Sequence, residues 1–458
     1  MNTCKRYLLS PDSMKRNLPM DRPKVSIFKY QRHTGSVRKA VAAANALAHL
    51  PKHAKVVIKP NIVVWLDGPY PKWGVVTTSA VVEESVILLK EQGINDITIV
   101  EGSLQMTPGS TGMGQRAFNG LGYQKLKDRY GVKLVDVWES GFEKVDIGDG
   151  LHLKVNSDLL ASDFLLNLPV LKTHAQVKVS LGIKNLKGFL NVSSRKKCHS
   201  ADHEQDLEFM ISRLPALLPP SATIIDGIYT IERGPSFDGK PRKTDLVIAS
   251  ADPLAADMVG GALLGHNPAE IPYLVRTAAD RDMAADLSQC DIVGESLEDH
   301  ASFHHFTFPY NEDNTLPLTM EKMGIKGLKF HKYDSTLCTY CSPLIGMLLT
   351  LIGMSYKGDP YDNVEFLTGK RLVPSPDIKT SILVGQCMCA RNKNHSGPQK
   401  IVEIPGCPPD SKAAARALKE LGIDIDPAFL TNFEMAGAFF MERFKNKPEF
   451  DESFYTIE

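Results

Sequence analysis

The chain has no surplus of charge: 53 Lys plus Arg balance 53 Asp plus Glu, for a formal net charge of zero. That balance excludes whole-molecule attraction to nucleic acid or an anionic membrane, so an anion can be held only by a local basic cluster. Long apolar runs are also missing. The longest, SPLIGMLLTLIGMSY at residues 342–356, falls short of the roughly 20 residues a bilayer span needs, and reads as a buried helix. The N-terminal stretch MNTCKRYLLSPDSMKRNLPM lacks the apolar core of a signal peptide and reads as an arm. The expected compartment is therefore the cytoplasm, where thiols stay reduced and disulfides are disfavoured. No repeat with a period of roughly 20–50 residues is seen. GSTGMGQ at 109–115 lacks the lysine of a P-loop, so neither ATP nor nicotinamide use is supported.

What is present is an alternation of strand and helix patterns. KVSIFKY, AKVVIKPNI, DITIVEGS and VKLVDVW read as strands. Between them lie helical stretches such as TTSAVVEESVILLKEQG, with a Thr/Ser start and a closing glycine. A short hairpin around IGDGLHLKV interrupts the series, and DFLLNLPVLK, SATIIDGI and TDLVIASAD continue it. The expected class is α/β, a mainly parallel sheet flanked by helices with a smaller C-terminal α/β unit. The expected division is an arm at 1–23, a large domain at 24–300, a connection at 301–335 and a C-terminal unit at 336–458.

Five of the eight cysteines lie in the last quarter. Cys338 and Cys341 form a Cys-x-x-Cys pair, Cys387 and Cys389 follow the strand SILVG, and Cys407 follows IVEIP. Strand ends in an α/β layer converge on one rim, so two of these groups can share a ligand. Cys407 is also expected at the N-terminus of the next helix, where the helix dipole favours an anion. Four thiolates suit a [4Fe–4S] cluster or structural zinc. With only one short knuckle the pattern leans to iron–sulfur, and cysteines that merely fill the core are the remaining reading.

In the large domain, polar residues crowd the ends of apolar strands. Lys59 and Asn61 end one strand and Glu101 ends another. Lys172, Thr173 and His174 end a third, with Lys184, Asn185 and Lys187 close behind. Convergent lysines and an amide suit a carboxylate or phosphate. Lys172 and His174 share a face if the strand continues, and Lys184 and Lys187 share one if their segment is helical. His174 is the expected proton donor or acceptor, its neutral form suited to a base. His199 and His203 are spaced for one helix face and could pair on a metal. Asp226 and Glu232 are either bases or capping groups.

The motifs IKPN, NLPVLKTH, GIKNLKG, IIDGIYTIERGP and ASADPLAAD, in that order, resemble the domain of unknown function family numbered 362. More distantly, that family is similar to nickel-pincer lactate racemases, which would make His174, Lys184 and His199 the candidates for such a site. CTYC, GQC and PGCPP resemble the cluster-binding pattern of the [NiFe]-hydrogenase small subunit and of the cluster-bearing subunit of NADH:quinone oxidoreductase. The resemblance implies one [4Fe–4S] cluster on Cys338, Cys341, Cys387 and Cys407, with Cys389 the alternative third ligand. The expected protein is an iron–sulfur redox enzyme. Its small anionic substrate would be bound by Lys59, Asn61, Glu101, Thr173, Asn185 and Lys187, with His174, Lys172 and Lys184 catalytic. A redox partner protein is expected and self-association is left open. The rival readings are a metal-dependent isomerase or racemase with a structural cluster, and a non-catalytic electron carrier or maturation partner.

Overall fold

Runs such as VVIKP and FLLNL are buried at every position and apolar except at Lys59 and Asn167, as suits strands covered on both faces. Val56, Ile58, Phe164 and Leu166 enter one hydrophobic core, while Val57 and Leu165 enter another on the opposite face. The computed structural model describes residues 22–104, 112–423, 425 and 428–457. Residues 1–21 of the expected arm, with Cys4, and the first part of GSTGMGQ lie outside the described residues.

Ten described strands form the large sheet. Across it run Asp291–Gly294, Lys24–Lys29, Lys240–Ser250, Ser221–Glu232, Phe164–Leu168, Val56–Pro60, Ile97–Glu101 and Lys133–Asp136. Along this order all neighbours are parallel except the two pairs made by Lys240–Ser250. The sequence run DFLLNLPVLK breaks at Pro169, which cannot donate to a ladder. Beyond it Val170–His174 pairs with Ser221–Glu232 and with the short strand Lys178–Ser180. The helix Ser79–Glu91 starts where expected, with the Thr78 hydroxyl accepting from Val81 N. The hairpin Phe142–Asp146/His152–Asn156 is also as expected.

A second sheet is wholly parallel, in the order Leu328–Phe330, Val364–Leu367, Thr380–Val384, Lys400–Ile404. Its first strand comes from the segment expected to be a connection. Three residues are too few for a period-two pattern to show in sequence. The apolar run becomes the helix Ser342–Ser355, with Leu344, Ile345, Leu348, Leu351 and Ile352 in this unit's core. After the helix Phe433–Met441 the chain returns to the large domain. Trp73 lies 5.2 Å from the rings of both Phe444 and Phe450, and its indole N–H donates to Asp451 O at 3.3 Å. Tyr455 and Ile457 belong to the first core. The C-terminal unit is thus inserted into the large domain.

Hydrogen bonds tie the two units together. Gln176 Nε2 donates to Asp334 O and Leu337 O, both at 2.7 Å. Arg371 donates to Ala201 O and Asp202 O, and Lys370 Nζ to His199 O.

Candidate functional site

Parallel crossovers leave the carboxyl ends of the strands on one rim, and Lys59, Asn61 and Glu101 lie there. The rim borders a cavity of about 630 Å³ that extends between the two units. Its polar wall includes Lys59, His174, Lys184, Lys187, Arg195 and His199.

Two of the expected site lysines, Lys59 for binding and Lys172 for catalysis, are committed elsewhere. Lys59 Nζ lies 3.0 Å from Glu101 in a fully buried pair and also donates to Pro60 O and Asn185 Oδ1. Burial pushes its pKa down despite Glu101. Gly188 lies directly over this pair: a Cβ there would fall 2.4 Å from Lys59 Cε, which accounts for glycine at the end of KNLKG. Lys172 is fully buried behind Asn61, donating to Asn61 Oδ1 and Val75 O, and does not border the cavity. Burial lowers it to about 7. Thr173 donates to Ile231 O and accepts from Gly234 N, also away from the cavity. The strand Val170–His174 is covered on both sides, so alternation alone could not show which residues face the ligand space.

Lys184 is the exception. It borders the cavity, and among the described residues no acceptor reaches its Nζ. Burial and then the charges of Lys187 and Lys172 hold its pKa well below the usual lysine value. Its turn, Gly182–Asn185 followed by Leu186–Phe189, is helical as required for Lys184 and Lys187 to approach. Asp257 anchors that turn, accepting from Gly182 N at 2.6 Å and Ile183 N at 3.0 Å. Asp257 closes the ASADPLAAD motif, so a signal for it existed, although its role was not legible.

The histidines divide. His199 Nδ1 lies 2.8 Å from Ser335 O and must donate to it, so its Nε2 accepts from Lys187 Nζ at 2.6 Å. His203 is exposed in a loop after the helix Val192–Lys197 has ended, so the expected one-face pair with His199 is not formed. His174 Nδ1 accepts from Gln176 N at 3.2 Å, which leaves the proton of the neutral ring on Nε2. Burial and then the neighbouring lysines keep that ring neutral. In this tautomer Nε2 is a hydrogen-bond donor, whereas the expected base would need a free lone pair there. Asp226 accepts from Thr78 N at 2.7 Å, and Glu232 pairs with Arg242; neither borders the cavity. Gln176 and Arg195, which do border it, were missed. Each is a lone polar residue with no motif of its own.

The cysteines gather on the other side of one turn. Cys341 donates to Cys338, which holds the Cys338 thiol well below the usual range and raises that of Cys341. Cys341 also feels the charges of Cys407 and Cys387. Gly385, with φ 92°, brings the start of the helix that carries Cys387 so close that a Cβ would fall 2.8 Å from Cys341 Sγ. Lys196 hydrogen-bonds Cys407 and lies 4.7 Å over the Tyr340 ring. Cys387 is exposed, whereas Cys389 is buried beside Met388 and directs its thiol to Leu383 O at 3.4 Å. Cys407 precedes the helix Ser411–Glu420 without capping it, because Asp410 holds the N-cap position expected to favour the thiolate. Among the described residues no three His, Cys, Asp or Glu side chains are grouped to hold a single metal ion. Residues 337, 339 and 342 of the same turn border the cavity.

The family model described as "Domain of unknown function (DUF362)" matches residues 56–262. This segment holds Lys59, His174, Lys184, Lys187, Arg195 and His199 of the cavity's polar wall. The thylakoid-associated protein sll1697 of Synechocystis is 28% identical over 222 residues, which is 48% of this chain and 66% of that one, just under two thirds of its length. Among solved structures, the lactate racemase apoprotein of Thermoanaerobacterium thermosaccharolyticum aligns with a TM-score of 0.32 and 15% identity, over 56% of this chain and 60% of that one. A Thermotoga maritima protein aligns at 0.25 and 10% identity, over 49% and 57%. Likenesses at this level carry no role across.

Proposed function

We propose that the protein is an iron–sulfur redox enzyme acting on a small anionic substrate. The observation that supports this reading is the double-sided turn at 337–342. Cys338 and Cys341 face the thiol group, while Leu337, Thr339 and Ser342 face the cationic cavity. Four thiols from three segments, with Cys338, Cys387 and Cys407 all acting on Cys341, match the number a [4Fe–4S] cluster takes. Cys338, Cys341, Cys387 and Cys407 would hold the cluster, which when bound supplies one-electron chemistry. The protein's own part is to hold the anion with Lys184, Lys187 and the Nε2–H of His174. Lys59 and Lys172 keep the amides of Asn185 and Asn61 in place behind it. A redox partner protein would deliver or remove electrons at the exposed Cys387 side.

Anaerobically purified protein, analysed for iron and sulfide and by electron paramagnetic resonance after reduction, tests this reading. Cys341→Ala and Cys407→Ser should each lose most of the iron. Cys389→Ala and Cys290→Ala should keep it, since both thiols are buried away from the group. Equal iron in all four variants would refute the assignment.

A further inference from the structure

The cavity is too large and too apolar for a small anion alone. Pockets of roughly 300–1,000 Å³ enclose drug-sized ligands, and this one measures about 630 Å³. Beyond the lysines its wall is built from Phe237, Ile345, Met347, Leu349, Phe429 and Phe440. The helix Ser342–Ser355 lies along it: Ser342, Gly346, Thr350 and Met354, four residues apart, all border the cavity. From the turn that carries the cysteines to Met354 this stripe runs about 18 Å at 1.5 Å per residue. Met354 is 62% exposed and Phe439 48% exposed, and both border the cavity, so its outer end is apolar and open to solvent. The lysines and histidines gather at the inner end; beside Gly346 the wall also holds Asp238, with Arg233 and Arg443 close enough to lower its pKa against burial. Glu101 is paired with Lys59, and burial pushes the other bordering carboxyl, Asp238, towards its neutral form.

The geometry points to an amphiphile as the ligand: an oxyanion head on one long apolar chain, the head at Lys184 and Lys187 and the chain along the Ser342–Ser355 helix. This rests on the anionic-substrate reading above and narrows it. The head is a carboxylate or a phosphate, which share this chemistry. Gly346 offers a specific probe. A Cβ built on it meets only Asp238 Oδ2, at 3.9 Å, so a larger side chain is tolerated by the fold and projects into the space assigned to the chain.

The test is calorimetric binding of two series to the full-length, anaerobically purified protein. One series is inorganic phosphate and alkyl phosphates of increasing length; the other is acetate and longer alkyl carboxylates. All are kept below their micellar concentrations, with the uncharged alcohols as controls. Affinity should tighten by up to about fourfold for each added CH₂ until the cavity is filled. Gly346→Phe should abolish that gain for long chains and leave inorganic phosphate or acetate binding unchanged. Lys184→Ala should weaken the charged amphiphiles at least tenfold and leave the alcohols unaffected. The series with the steeper loss in Lys184→Ala identifies the head. Short anions that bind as tightly as long ones would overturn the inference while sparing the anionic site. A chain-length gain that survives Gly346→Phe would overturn it as well, by placing the chain elsewhere. Failure of every anion to bind would remove the anionic-substrate reading together with the inference.

Discussion

Lys172 shows how a buried amine can be read through its proton. An unfolded lysine titrates near 10.4, whereas burial brings Lys172 to about 7. Between these values the unfolded chain holds a proton that the folded chain lacks, so this residue makes stability rise with pH from about 7 to about 10. Below pH 7 the buried ammonium carries its full penalty. Lys172→Met removes that penalty, but it also strips a donor from Asn61 Oδ1 and Val75 O. The substitution should therefore destabilise by about 1–3 kcal/mol at pH 9 and by less at pH 6. Urea denaturation at both pH values checks this. An equal loss at both would mean that Lys172 titrates normally. The cysteine choice belongs to the same scale. Cys387 and Cys389 sit in the helix Gln386–Asn392, where two residues turn about 200°, so the two thiols face opposite ways. GQCMCA could not reveal this without the helix.

Among elements, the short turn that carries Lys184 is the most dependent on its surroundings. Four residues of helix do not stand alone in water, so Gly182–Asn185 owes its shape to the Asp257 carboxylate at its N-terminus. Asp257→Ala should leave two buried N–H groups unpaired and cost about 2–5 kcal/mol. It should also weaken anion binding, since Lys184 loses its fixed position. Asp257→Asn, which keeps one of the two acceptor oxygens, should restore only part of both. Denaturant midpoints and phosphate calorimetry together separate a positioning role from a simple loss of folding. Much of this rim was legible in the sequence, because apolar runs ending in Lys, Asn or Glu mark where strands emerge. Period two groups Lys172 with His174 correctly but cannot say that Asn61 comes between Lys172 and the cavity. Spacing alone also pairs His199 with His203, whereas the helix ends at Lys197 and separates them.

At the scale of the whole molecule, the return of the chain to the large domain was the least legible feature. The aromatic residues of the last segment read as the end of a small unit. Their partners, Trp73 and Tyr229, lie hundreds of positions away. Phe450→Ala should cost about 2–3 kcal/mol, less than the ~3–5 of a fully buried phenylalanine, because Phe450 is half-buried. Tryptophan emission should shift to the red as Trp73 gains water. Iron in the proposed cluster should not change, because Phe450 packs on Trp73, Tyr229 and Phe444. An unchanged emission would mean that the tail does not cover Trp73.

The insertion also orders events during synthesis. Trp73 leaves the ribosome early, yet the Asp451 carbonyl that accepts its N–H lies 378 residues further along the chain. Tyr455 and Ile457 fill the same core. The sheet that carries the proposed anion site is therefore sealed only after the cysteine-bearing unit has been made. Loading of the proposed cluster on the nascent cysteines can thus precede closure of the large domain, and a chain released early would expose both.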